Sequence, residues 1–437
     1  IYIVRLHILN LKNLFLQAKY VGKIICEVFI MYDVYKIRKD FPVLNELINN
    51  KPFVYLDTSA SAQKPQQVLD KMMQVYQTTY ANPHRGSYTI SEEMTTEFEQ
   101  ARETVREFIN ADFSREIVYT RNATESINLV ASSWGGENLK AGDEVLISQA
   151  EHHANLVPWQ HICQVTGAKL VVFPISDNGE FIEEEFLKHL SKKTKIVAVT
   201  AMSNVLGTIF PVKKIAAAAH KAGAKVLVDA CQFAVHHKID VQDIDCDFLA
   251  FSAHKTYGPS GIGVLYGKAE ILQNMQPYQF GGDMIENVTY EKTTFTDIPA
   301  RFEAGTPAAV QAIGMAEGLK YMMNLGLDNI EKHEQELVKY TTEKLLQVPD
   351  LKIIGTAKDK GGVFSFAIRD IHPQDLAFVL NKENIAIRTG HHCAQPIVNR
   401  MGYTSLARAS LGLYSTKEDI DALYNALLKA EKFFREN

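Results

Sequence analysis

A series of short apolar segments, separated by helical stretches, constrains the fold of this chain more than any other feature. The segments are rich in Val, Ile, Leu and Phe and alternate little with polar residues, which is typical of strands buried on both faces. They comprise Glu116–Thr120, Asp143–Ser148, Lys169–Ile175, Lys195–Ala201, Lys225–Ala230 and Asp247–Ser252. Pro211–Gly223 is predicted to be a helix between two of them, with Pro near its start and Gly at its end. This alternation predicts an α/β fold with a mainly parallel sheet covered by helices.

The pattern changes after about Ala308, where a long helical run leads into further apolar segments and a final amphipathic helix. A chain of 437 residues is long enough for two or three domains. We therefore predict a large domain over residues 51–307 and a smaller α/β domain over residues 308–437. Residues 31–50 are expected to pack with the small domain.

Residues 1–30 differ from the rest, with scattered Arg and Lys and Glu27 as the only acid. An amphipathic targeting or membrane-surface helix is one interpretation. We favour a dispensable extension, because the segment has neither the serine content of a transit peptide nor the cleavage site of a signal peptide.

The composition argues against several classes of function. A net charge of −5 provides no basic surface for nucleic acid, and no stretch is apolar enough to span a bilayer cleanly. The five cysteines are odd in number and form no CxxC pair, which argues against a disulfide framework and a zinc ribbon. We therefore expect a cytoplasmic protein that binds neither nucleic acid nor membrane.

Polar residues cluster where the predicted strands end, which is where ligands bind in such sheets. Asn122, Ala123 and Thr124 follow one strand and start a helix. Free N–H groups and the helix dipole there suit a phosphate, although a plain N-cap explains this segment equally well.

Two further strand ends carry residues that suit a carbonyl cofactor. Asp229 ends an apolar strand, where a carboxylate is costly unless it is paired. Lys255 follows the next strand, and a desolvated lysine there is a candidate nucleophile, although most lysines are simply solvated. The glycines come after Lys255, in the wrong order for a dinucleotide site. A lysine, an acid and a helix start together match the needs of pyridoxal phosphate.

Many motifs in one order give the chain a resemblance to the SufS-type cysteine desulfurases, which are fold-type I pyridoxal-phosphate enzymes. The resemblance runs from about Met31 to the C-terminus. It implies a large domain with a seven-stranded sheet. It is carried by Leu56–Pro65, Asn82–Ser91, Thr120–Ala131, Ala150–Gln160, Ser203–Thr208, Val228–Gln232, Ser252–Gly267, Phe302–Pro307, Arg388–Pro396 and Arg408–Tyr414.

The resemblance also implies roles for individual residues. Lys255 would hold the cofactor covalently, Asp229 would pair with its ring nitrogen, and Gln232 would bond its ring hydroxyl. His152 would stack on the ring, and Asn204 would contact cofactor or substrate. The phosphate would lie among Ala123, Thr124, Ser252 and His254, with Thr306 reaching the phosphate of the other subunit of a homodimer. Arg408 would bind the substrate carboxylate, and the pocket lining would include His84, Arg85 and Arg388.

Cys393 lies in the sequence RTGHHCAQP, and several different roles are possible for its thiol. Directly adjacent His and Cys residues rarely coordinate the same zinc ion, so we expect no metal. A buried cysteine with a purely structural role is the simpler alternative. Beside pyridoxal phosphate, Cys393 would attack the sulfur of bound L-cysteine and keep it as a persulfide, helped by cationic neighbours such as Arg388.

The function implied is therefore conversion of L-cysteine to L-alanine for iron–sulfur cluster assembly, with sulfur passed to an acceptor protein of the SufE or SufU type. A selenocysteine lyase is the nearest alternative. An aminotransferase or kynureninase-like enzyme would not need Cys393. A non-catalytic sulfur carrier or scaffold is disfavoured because Lys255, Asp229 and Cys393 are all present.

Overall fold

The computed structural model describes residues 32–48 and 50–436. The prediction for residues 1–30 lies outside this part of the chain. From Val34 onward the chain forms one compact unit by its internal contacts. The predicted division at residue 308 therefore stays a prediction, although two separate sheets lie on either side of it.

The central sheet has seven strands, as the resemblance implied. They are β1 (Ile117–Thr120), β2 (Glu144–Ser148), β3 (Lys169–Phe173), β4 (Thr194–Thr200), β5 (Lys225–Asp229), β6 (Phe248–Ser252) and β7 (Gly263–Gly267). Their order is β1-β7-β6-β5-β4-β2-β3. The six segments predicted from the sequence match β1–β6 to within two residues at either end. β3 stops before Pro174, which has no N–H to donate to a ladder.

The direction of the strands decides where their ends meet. β2, β3, β4, β5 and β6 run parallel. β7 is antiparallel to both of its neighbours, β6 and β1. β1 therefore points the same way as β6, and the carboxyl ends of six strands lie at one edge of the sheet.

Helices cover this sheet and build the rest of the chain. They are α1 (Val34–Lys39), α2 (Gln66–Thr78), α3 (Thr89–Ile109), α4 (Ala123–Leu129), α5 (Gly136–Asn138), α6 (Val157–Thr166), α7 (Glu183–His189), α8 (Val212–Ala222), α9 (Phe233–His236), α10 (Val241–Ile244), α11 (Ala269–Leu272), α12 (Ala309–Leu325), α13 (Leu327–Leu345), α14 (Pro373–Lys382), α15 (Gln395–Arg400) and α16 (Lys417–Glu436). α8 is the predicted helix, and Gly223 ends it in the left-handed conformation that glycine adopts readily.

The second sheet is antiparallel and lies in the C-terminal part. Its strands are β8 (Leu351–Ile354), β9 (Val363–Ile368), β10 (Arg388–Gly390) and β11 (Leu406–Ser410), in the order β8-β9-β11-β10. Phe364 and Phe366 of β9 are fully buried against helices α14 and α16, which form a separate apolar core with this sheet. Shorter strands lie at Leu47–Ile48, Lys51–Pro52, Val54–Tyr55, Ile285–Val288, Thr293–Phe295 and Ile385–Ala386.

The segment before the central sheet contacts the C-terminal part. Arg38 of α1 donates to both carboxylate oxygens of Asp419 in α16, at 2.8 and 3.2 Å. Val54–Tyr55 pairs in parallel with Ile385–Ala386. Within residues 32–48 and 50–436, every helix is too short or too polar to cross a bilayer.

Candidate active site

A cavity of about 210 Å³ lies at the edge where the carboxyl ends of the central strands meet. Both sheets contribute to its wall. Twelve of the predicted site residues line it: Ala123, Thr124, His152, Asn204, Asp229, Gln232, Ser252, His254, Lys255, Arg388, Cys393 and Arg408. The fold thus brings together residues that are up to 285 positions apart in the sequence, from Ala123 to Arg408.

Lys255 lies in the tight turn that follows β6. Its N–H donates to the Ser252 carbonyl at 3.3 Å, and Gly258 N–H donates to Ala253 O at 3.0 Å. A Cβ at Gly258 would lie 3.0 Å from the Met315 Cα in α12. Because Gly258 has no side chain, α12 can pack directly against the turn. This packing holds the backbone near Lys255 in place.

Asp229 and Gln232 lie at the end of β5, both buried. Asp229 Oδ1 accepts the Cys231 N–H at 2.9 Å. Gln232 Nε2 donates to Ser59 O at 2.9 Å, and its Oε1 is buried with no protein partner. A buried amide oxygen that accepts no hydrogen bond lowers the stability of the fold. A bound molecule with a hydroxyl or N–H group could donate the missing hydrogen bond to this atom.

The start of α4 lies directly beside β6 and β7. Ser252 Oγ accepts the Ala123 N–H at 2.9 Å, and Asn122 Oδ1 caps the helix by accepting the Glu125 N–H at 2.9 Å. A Cβ at Gly263 would lie 2.5 Å from the Asn122 Cα. Glycine at this position therefore allows the strand to touch the helix start and fixes where its N–H groups point.

His152 and His254 both line the cavity, and both are neutral at pH 7. Burial and then the charge of Lys255 lower the pKa of His152 to about 4, and the same two causes lower the pKa of His254 to about 4. His152 Nδ1 accepts the Ala154 N–H at 3.0 Å, which leaves any ring proton on Nε2. A neutral imidazole suits stacking on an electron-poor ring.

Two arginines face each other on the opposite side. Arg388 of β10 and Arg408 of β11 are direct partners in the register. Both approach Asp57, with Arg408 Nη2 to Oδ1 at 3.3 Å and Arg388 Nε to Oδ2 at 3.6 Å. Two guanidinium groups with one carboxylate leave one positive charge unpaired, and buried Arg408 also has an unpartnered Nε. The pair can therefore accept a second carboxylate.

The loop that carries Cys393 connects β10 to α15. His392 and Cys393 have φ of 54° and 53°, a left-handed conformation that is strained for residues other than glycine. Asn204 Nδ2 donates to His392 O at 2.7 Å, and His153 N–H donates to Cys393 O at 2.7 Å. The loop is therefore held by residues that follow β2 and β4 of the central sheet.

The cysteines differ in exposure. Within the described part of the chain, Cys393 is exposed, whereas Cys163 and Cys246 are buried and Cys231 is partly buried. Burial raises the pKa of the Cys163 thiol to about 11, and burial also raises the pKa of Cys231 and Cys246. Cys231 lines the same cavity as Cys393 but stays protonated, which makes it a poor nucleophile.

Three predicted site residues do not line the cavity of this chain. Thr306 is exposed on the loop before α12. His84 is exposed, and its Nε2 lies 3.1 Å from Glu99 Oε1. Arg85 is exposed as well, and its Nε donates to Asp283 at 2.6 Å. Their predicted roles therefore stay predictions.

Sequence reasoning also missed residues that support the wall of the cavity without lining it. Asp57 lies within a motif that was used for the resemblance, but a lone Asp at the start of a turn gives no sign that two distant arginines will reach it. His153 was not assigned a role, yet it holds the Cys393 loop. Its two partners, Cys393 and Gln395, lie 240 and 242 positions away in the sequence, a distance that no local pattern reveals.

Comparison with known proteins agrees with this geometry. The family described as "Aminotransferase class-V" matches residues 54–423. A "probable cysteine desulfurase" of Halalkalibacterium halodurans is 47% identical over 402 residues, which cover 92% of this chain and 99% of the relative. A cysteine desulfurase of Synechococcus elongatus is 47% identical over 400 residues, but this chain spans only 64% of its length.

A solved structure shows the same similarity in three dimensions. The crystal structure of the cysteine desulfurase CsdA from Escherichia coli has a TM-score of 0.85 and is 37% identical, and the match covers 92% of this chain and 99% of that one. The predicted fold type is thereby confirmed.

Proposed function

The chain belongs to the class-V aminotransferase family, and on that premise we propose that it is a pyridoxal-phosphate-dependent cysteine desulfurase. The reaction would convert L-cysteine to L-alanine and leave the sulfur on Cys393. The observation that carries the proposal is the presence of an exposed cysteine in the same cavity as Lys255, Asp229 and a free arginine charge. An aminotransferase needs no such thiol.

The residues of the cavity fit pyridoxal phosphate. The unpartnered Oε1 of Gln232 suits the ring hydroxyl, buried Asp229 suits the ring nitrogen, and the start of α4 with Ser252 suits the phosphate. Lys255 would attach to the cofactor. When bound, the cofactor acts as an electron sink that weakens bonds around the substrate Cα.

Substrate binding would depend on the arginine pair. The side chain of Arg408 is only 3% exposed, so its guanidinium has little contact with water. A substrate carboxylate that accepts two hydrogen bonds from this group would therefore be bound strongly. Burial lowers its pKa to about 10, against the opposing effect of Asp57 and Cys393, so it stays charged at neutral pH. We assign the substrate carboxylate to Arg408, with Arg388 at the more exposed rim.

The sulfur step would be carried out by Cys393. Its thiolate forms an S–S bond to the substrate sulfur while the substrate Cβ–S bond breaks, and that electron pair stays on carbon until a proton completes alanine. The enzyme gains one sulfur atom as a persulfide, and no outside oxidant is required. Lys255, which follows β6, would move protons to and from carbon.

We further propose a homodimer in which exposed Thr306 reaches the cofactor phosphate of the partner, and a dedicated acceptor protein that takes the sulfur for iron–sulfur cluster assembly. The cytoplasm is the proposed location, since free thiols suit a reducing compartment. Selenocysteine would be a second substrate, for which Cys393 matters less.

The test is Cys393→Ser, with Cys231→Ala as the matched control at the second thiol of the cavity. Cys393→Ser should bind the cofactor normally but form alanine from L-cysteine at least about a hundredfold more slowly, because the nucleophile is lost. Cys231→Ala should stay within about twofold of the wild type, because its protonated thiol takes no part. Alanine release and the mass of the Cys393 peptide after a short pulse of L-cysteine are measured. Normal alanine formation by Cys393→Ser would refute the proposal.

A further inference from the structure

His153 contacts the Cys393 loop twice. Its backbone N–H donates to Cys393 O at 2.7 Å, and its ring Nε2 accepts the N–H of Gln395 at 3.0 Å. These bonds hold the residue that carries the thiol and the first residue of α15. His153 therefore holds the loop at strained Cys393 and again two residues later, where α15 begins.

The Gln395 bond fixes the protonation state of the ring. An Nε2 that accepts a hydrogen bond carries no proton, so His153 must be neutral with its hydrogen on Nδ1. A protonated ring has only donors and would lose this bond. The titratable groups that face His153 are the ring of His152, with centroids 6.2 Å apart, and His391 of the same loop.

We propose that His153 is a positioning residue that keeps Cys393 in place through the acceptor atom Nε2, and that acid releases the loop by protonating this atom. The inference rests on the proposed role of Cys393 as the sulfur nucleophile. It concerns a residue that contacts the loop and acts on the reaction through it.

The surroundings of His153 favour its neutral form. Burial first, and then the charge of His391, lower the pKa of His153 below the ordinary histidine value. The hydrogen bond is therefore complete above that ordinary value and is lost only as the pH falls through the lowered pKa. His392 and Cys393 have strained left-handed backbones, so the loop should move toward a less strained conformation once the hydrogen bond to His153 is lost.

The test compares three variants by hydrogen–deuterium exchange of the peptide over residues 390–396. His153→Ala removes the acceptor and should exchange about fivefold faster, as expected for one lost hydrogen bond. His153→Gln offers an amide oxygen at a similar distance and should restore slow exchange. His161→Ala, at an exposed histidine of α6, should match the wild type.

A pH series provides a second measurement, and its wild-type part does not depend on a variant folding. After correction for the chemical exchange rate, protection of this peptide should fall with acid in the wild type and stay flat in His153→Gln. Equal exchange of His153→Ala and wild type, equal exchange of Gln and Ala variants, or a flat wild-type profile would each overturn the inference.

Activity then separates this inference from the proposed function. In His153→Ala, alanine formation from L-cysteine should fall while the KM for L-cysteine and the cofactor absorbance stay unchanged, because only the thiol is displaced. Failure of the wild-type protein to form alanine would refute the function. It would leave the exchange result on the loop standing by itself.

Discussion

The cavity has two sides that are built by different means. The strand-end side, with Ala123, Asp229 and Lys255, is formed where the central strands stop, and the backbone there is fixed by sheet ladders and by the helix α12. The loop side, with Cys393, is held by a few hydrogen bonds to Asn204 and His153 across the cavity. The first arrangement suits a cofactor that stays in one place. The second would suit the thiol that we propose meets both the substrate and an acceptor protein.

The same contrast appears in the cysteines and histidines. On the strand-end side, burial keeps Cys231 protonated and His152 neutral. On the loop side, Cys393 is exposed and lies near the arginine pair. Both sides contain a cysteine, and we expect the difference in solvation to decide which of the two reacts with substrate.

The largest expected effect is on the strand-end side. Lys255→Ala should reduce turnover of L-cysteine by about a thousandfold or more, because both covalent attachment and proton transfer are lost. Borohydride reduction of the wild-type protein with pyridoxal phosphate should leave the cofactor mass on the Lys255 peptide. A label on another lysine would place the cofactor elsewhere and remove the basis of the comparison between the two sides.

A smaller effect is expected at Arg388 and Arg408. These two arginines are direct partners on neighbouring strands, so they allow a buried and an exposed side chain of the same type to be compared. Arg408→Lys keeps the charge but loses the planar fork, and the KM for L-cysteine should rise about tenfold to a hundredfold, in line with a lost charged hydrogen bond. Arg388→Lys should change KM by no more than a few-fold, because its side chain is 50% exposed.

Steady-state kinetics with the cofactor absorbance as a check measure both arginine variants. Equal effects of the two substitutions would show that the pair acts as one charge cluster. In that case the buried position of Arg408 would carry no special role.

The sequence predicted the strand-end side better than the loop side, and the reason is physical. The runs before Asp229 and Lys255 are local patterns of buried strands, so their ends could be located without knowing the tertiary structure. β7 was not among the six predicted strands, because its glycines resemble a loop. The contacts of Asp57 and His153 join residues hundreds of positions apart, and they exist only after both sheets have packed.

The smallest expected effect tests the packing that fixes the strand-end side. Gly263→Ala would place a Cβ 2.5 Å from the Asn122 Cα, so either β7 or the start of α4 must move. We expect a loss of about 1–3 kcal/mol in the free energy of unfolding, as for other overpacked sites, and weaker binding of pyridoxal phosphate in an absorbance titration. Gly136→Ala is the matched control, because this exposed glycine has helical φ and ψ of −59° and −32° and its Cβ would meet its nearest neighbour at 4.0 Å. That change should stabilise the protein by about 0.4–1 kcal/mol. If Gly263→Ala bound the cofactor as tightly as Gly136→Ala, the helix start would not depend on contact with β7, and the rigidity assigned to the strand-end side would need another source.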